Sequence, residues 1–144
     1  MRTFIGVLFL AIVTSVMFIG CSSKQEAELR ALEQWMDTNP DSVIEVLEAM
    51  DKSALSSPRL QALHTLTLTR ARDKRHILSS VQRDDSLIKA AADYFGRKGP
   101  EFDHMRSLFY AGSVNYYTGD YDKAMRYAVR AEKGNWGLTV LKRF

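Results

Sequence analysis

MRSLFYAGSVNYYTGDYDKAMRYAVRAEKGNWGL, residues 105–138, carries its apolar side chains at a helical rather than an alternating spacing. A helix from about Glu101 presents Met105, Leu108, Phe109, Gly112, Val114 and Tyr116. Thr118-Gly119-Asp120 has the composition of a tight turn, and Tyr121 to Lys133 forms the partner helix that returns beside the first. The unit is a helix hairpin.

Working back from it, the same pattern recurs between clear stop signals. From Glu26, Leu29, Leu32, Trp35 and Met36 fall on one stripe, with Glu26, Glu28, Arg30 and Glu33 around the other side. Thr38-Asn39-Pro40-Asp41 then ends one helix and starts another: Asn39 suits the cap, Pro40 the first helical position, and Asp41 the positive end of the helix dipole. Val43, Ile44, Val46, Leu47 and Met50 make the next apolar face. Ser57-Pro58 repeats the start signal ahead of Leu60, Leu63, Leu66 and Ala71. The basic run from Arg70 to His76 sits at that helix's C-terminus, where the dipole favours cations. Asp84-Asp85-Ser86 opens a helix with Leu87, Ile88, Ala91, Ala92, Tyr94 and Phe95, and Gly96, Gly99 and Pro100 end it. No segment has a strand pattern, so the expected fold class is all-α, an antiparallel helix-hairpin array.

Residues 105–138 resemble one tetratricopeptide repeat (TPR), a helix–turn–helix unit of ~34 residues. The matching positions are Leu108, Ala111, Gly112, Gly119, Asp120, Tyr121, Ala124 and Ala131. Gly112 would let the two helices approach closely, and the small Ala124 and Ala131 fall where helices cross. Asn115 and Trp136 depart from the family, which usually has an aromatic and a proline there. Helix starts at Asp41, Asp85 and Asp122 recur near the family's period without keeping it strictly, so residues 26–144 look like a divergent three-hairpin array, a TPR-like α-solenoid. Its last apolar stretch, residues 134–141, either folds back as a short cap or begins a helix in a longer protein; the latter is favoured. The resemblance implies a ligand groove along the concave face built from the first helix of each hairpin. Carried onto this chain, it gives Arg106, Phe109, Ser113, Tyr116 and Tyr117, with Tyr127 and Arg130 outside. An arginine for a carboxylate and aromatics for apolar groups would suit an extended peptide. Packing of Phe109 and Tyr116 against preceding helices explains those two equally well.

The N-terminus differs from the rest. Met1-Arg2-Thr3 precedes an apolar run from Phe4 to Ile19, which ends at Gly20-Cys21-Ser22-Ser23. A short cationic start, an apolar core and a small residue at the break are the parts of a secretory signal. An uncleaved span is the alternative. Phe18-Ile19-Gly20-Cys21 resembles a bacterial lipoprotein lipobox, although Phe18 stands where leucine is commonest. The resemblance implies a signal peptide over 1–20, a diacylglycerol on the Cys21 thiol, acylation of the new amine and a polar tether over 21–25. Cys21 is the sole cysteine of the chain, so no internal disulfide can form. Ser22, rather than aspartate, favours the outer membrane, with the domain facing the periplasm.

Length and charge narrow the rest. The 144 residues suit one domain, and the formal charge of +3 is spread among mixed acids and bases, which gives no argument for nucleic acid. His64, His76 and His104 are too scattered for a local zinc motif, no phosphate loop or nucleophile elbow occurs, and Glu101 and Asp103 suit a helix N-terminus better than acid–base work. The expectation is a non-enzyme with no cofactor and no metal: a lipid-anchored scaffold for a protein or peptide partner at the cell envelope. The alternative is the periplasmic sensory half of a longer signalling protein.

Overall fold

Three local signals set where helices begin. Pro40 and Pro58 occupy first helical positions, where a missing N–H costs nothing, and the Ser57 hydroxyl accepts from Leu60 N–H at 3.3 Å. Asp120 does the same for the last helix, accepting from Lys123 N–H at 3.1 Å. The computed structural model describes residues 22–77 and 85–133. Residues 1–21, with the expected signal peptide and Cys21, and residues 78–84 and 134–144 lie outside them. The elements are α1 (residues 22–35), α2 (Pro40–Ala49), a 3-10 turn (Lys52–Ala54), α3 (Pro58–Lys74), α4 (Ser86–Lys98), α5 (Glu101–Tyr117) and α6 (Tyr121–Glu132). The protein is all-α, with no strand among the described residues. From α2 to α6 each helix packs on the next in chain order, and α3 also touches α5.

The contact of α3 with both α5 and its sequence neighbours explains why its pattern is only partly legible. Leu60, Leu63, Leu66 and Ala71 are buried as expected, but so are Leu68, His64, Thr67 and Thr69. A helix covered on several sides has no clean polar face. Thr67 and Thr69 donate their hydroxyls to the carbonyls of Leu63 and Thr65, which removes the cost of burying them.

The α5–α6 turn follows from one glycine. Gly119 has φ +85°, the left-handed region, and its N–H donates to Tyr116 O at 3.1 Å while Asp120 N–H donates to Asn115 O at 2.9 Å. This pair of bonds is the Schellman closure of a helix end. Seven residues earlier, a Cβ on Gly112 would meet Ala124 O at 3.4 Å and Tyr127 Cβ at 3.6 Å. The α6 backbone therefore comes close enough at Gly112 that a single added methyl would touch it. Buried Asn115, the departure from the repeat pattern, donates to Ala111 O and to Asp85 Oδ2, tying α5 to the start of α4.

Several expectations are corrected. Residues 22–25 are helical, where a tether was expected, and Gln25 bonds Ala54 O and the Ser56 hydroxyl. Trp35 is exposed while Glu33 is buried, so the inward face of α1 runs through Leu29, Leu32, Glu33 and Met36. Asn39 occupies the cap position of α2, but its amide donates to Thr38 Oγ1 and makes no cap bond. Gly96 lies inside α4 and not at its end, because a Cβ there would sit 2.9 Å from His104 Nε2 on the adjoining helix.

Gly112→Ala is expected to fold with nearly wild-type stability, since its Cβ fits at contact distance. Gly112→Leu should lower stability by about 1–3 kcal/mol through overpacking against α6. Thermal melting of the two variants checks this, and an unchanged melting point for the leucine variant would contradict the α5–α6 contact.

Candidate functional site

The five residues expected to line a groove do not share one open surface. Arg106 is 5% exposed, whereas Phe109, Tyr116 and Tyr117 are 38%, 60% and 38% exposed. Ser113 is half-buried and hydrogen-bonds the buried side of Asp73 on α3, whose carboxyl burial holds above its ordinary pKa. Leu108 and Ala111 are buried, as expected of residues facing neighbouring helices.

Arg106 is withdrawn because it belongs to a charge cluster between α1 and α5. Its guanidinium bonds the Glu33 carboxylate and lies 3.5 Å from Asp103. Arg30 donates to both oxygens of Asp103, at 3.0 and 2.5 Å, and to Glu33 at 3.0 Å. The four side chains alternate in sign: plus then minus three residues later on α1, minus then plus three residues later on α5. Arg59 of α3 extends the cluster by a two-pronged bond to Glu26, at 2.7 and 3.0 Å. Asp103 is 1% exposed and Glu33 8%, so both carboxylates depend on these partners. Burial alone would raise the Glu33 pKa; Arg106 and Arg30 outweigh it and hold the carboxyl below its usual range. Arg106 also stands 5.1 Å from the ring centre of Phe102. The face of α5 that was to bind a carboxylate already holds two of its own protein's.

What stays open lies at the α5–α6 turn. Tyr116 packs edge-to-face on Tyr117 at 5.7 Å and on Tyr121 at 5.5 Å. Tyr121 is 65% exposed, and Met125, one turn further on α6, 66%. The sequence reading missed Tyr121 and Met125 as surface residues. Their spacing of four, on a helix whose buried residues are Tyr127 and Ala131, was the available signal.

Comparison with protein-family models, with curated proteins and with solved structures gave no match.

The basic run 70–76 is not a free cationic patch. Lys74 lies 2.7 Å from Asp37, Arg72 2.9 Å from Glu48 and Arg75 2.5 Å from Asp41, which fastens the end of α3 to α2 and to the turn before it. Among the described residues no three His, Cys, Asp or Glu side chains are placed to hold a metal ion. No described helix is long and apolar enough to cross a membrane. His64 is wholly buried: its Nε2–H donates to Leu47 O at 2.8 Å, and Nδ1 has no partner. Burial pushes its pKa below the usual value, helped by the positive charges of Lys52 and Arg72. His104 is lowered too, by burial and then by Arg130.

A depressed histidine pKa means that, below about pH 6.5, the unfolded chain takes up a proton that the folded one refuses. Stability should accordingly fall as the pH drops from 7 to 5, by at most about 1.4 kcal/mol per pH unit for each such group. Urea midpoints measured across that range should show a shallower slope for His64→Gln than for wild type. Identical slopes would contradict the buried, neutral ring.

Proposed function

We propose that the chain is a membrane-anchored bacterial lipoprotein whose TPR-like helical domain is a protein- or peptide-binding scaffold at the cell envelope. Gly20-Cys21 closing an apolar run supports the anchor, with the outer membrane favoured by Ser22. Consecutive hairpins, the close approach at Gly112 and the glycine turn at 119 support the repeat reading. The observation that carries the binding role is the exposed cluster of Tyr116, Tyr117 and Tyr121, continued by Met125. Aromatic side chains gathered on a surface mark interaction sites, because they offer large contact area at low entropic cost. On this reading the binding surface is the hairpin tip, with Tyr116 and Tyr117 kept from the expected groove set and Arg106 belonging to the interior. Catalysis forms no part of this reading.

A photo-crosslinking residue at position 121 of the full chain, in the cells that express it, should yield an adduct of discrete mass. Tyr116→Ala with Tyr117→Ala should reduce that adduct several-fold at an unchanged melting temperature. In the same cells Cys21→Ser should abolish fatty-acid labelling. An equal adduct from position 45 on α2 would contradict the binding surface, and intact labelling of the serine variant would contradict the anchor.

A further inference from the structure

The ion pairs fix which ends of the helices lie together. Arg30 meets Asp103 and Glu33 meets Arg106, so α1 and α5 run in the same direction. Gln25 and Glu26, at the start of α1, bond Ser56 and Arg59 at the start of α3. The end of α4 at Lys98 leads directly into α5, and α6 returns alongside α5 to bring Arg130 within electrostatic reach of His104. Residue 22, next to Cys21, therefore shares one end of the domain with Lys24, Lys52, Arg97, Lys98, Arg130 and Lys133.

Those six cations are alike in a second respect. Among the described residues none of them forms an ion pair. At the opposite end Arg70, Lys74, Arg75 and Lys123 each have a carboxylate partner. Glu28, Asp51, Glu101 and Glu132 share the first end but are outnumbered there, and Asp51 is turned onto Ser53. At the far end Asp37, Asp41, Asp85 and Asp120 stand against its cations, so among the described residues that end has no comparable set of unpaired positive charges. Unpaired positive charge is thus concentrated at the end where the chain enters.

Attraction between exposed charges fades over about 8 Å at physiological salt, so unpaired cations matter only if something anionic is held close. The entry point supplies that closeness: an acylated Cys21 would sit one residue before α1. We propose that the entry end of the domain docks on an anionic phospholipid surface, with Lys52, Arg97 and Lys98 against the headgroups and the α5–α6 tip directed away from them. This rests on the reading of Cys21 as the anchor. The arrangement adds an electrostatic contact to the acyl chains and sets the domain's orientation.

The full chain is to be carried in lipid nanodiscs of phosphatidylcholine alone and of phosphatidylcholine rich in phosphatidylglycerol, with amide hydrogen exchange as the readout. Exchange at 52–54 and 97–99 should slow several-fold on the anionic discs and return to the neutral-disc rate in high salt, while 118–121 stays the same. Lys52→Glu with Arg97→Glu and Lys98→Glu, at wild-type melting temperature, should erase the difference. Equal exchange on both discs, with the chain retained, overturns the docking alone and leaves these cations to an acidic protein. A chain that leaves discs of both compositions overturns the anchor and the docking together.

Discussion

Arg30, Glu33, Asp103 and Arg106 hold the first described helix against the fifth, and the rest of the arrangement is conditional on that contact. Apolar packing sets neighbours in chain order, but it is tolerant of sliding and rotation. Four alternating charges at matched three-residue spacings are not. Displacing α1 by a turn would leave two nearly inaccessible carboxylates without cations. Such a cluster is weak evidence for net stability, since desolvation cancels much of the attraction, but it penalises every other register heavily. Its cost falls on function as well. Asp103 and Arg106 are internal, and Tyr110 and Ser113 on the same helix are also drawn inward. The face of α5 that carries Arg106 has little left for a ligand.

The proposed binding surface therefore falls at the tip, where Tyr116, Tyr117 and Tyr121 remain exposed. Placed opposite the entry end, that tip is the part of the domain furthest from the proposed anchor. The proposed membrane-facing and partner-facing ends would then lie at opposite ends of one topology. The two properties are separable by experiment because they use no common residue.

How much of this could be read in advance follows a physical division. Local signals were legible: Pro40, Ser57-Pro58, Gly119 and Asp120 act within a few residues of themselves, and the structure places helix boundaries at each. The inward stripes were legible where one face meets the core, as on α2. They blurred on α3, which is covered from several sides, and on α1, where Glu33 replaced Trp35 in the interior. The charge cluster was not legible because its partners lie 73 residues apart. On its own helix Arg106 reads as a surface residue, and Glu33 as part of a polar face. Gly96 reads as a terminator because a glycine needed for close approach to His104 looks the same in sequence.

The central claim is that Glu33 and Arg106 act as a unit, and a double-mutant cycle tests it directly. Unfolding free energies are to be measured for Glu33→Leu, Arg106→Leu and the pair. Each single change should cost about 3–5 kcal/mol, because it strands a buried charge, while the double variant should cost clearly less than the sum. Native-state exchange over residues 26–35 should speed up in the single variants before the rest of the domain responds. Single costs under about 1 kcal/mol that simply add would contradict the account, leaving α1 held by its apolar face alone.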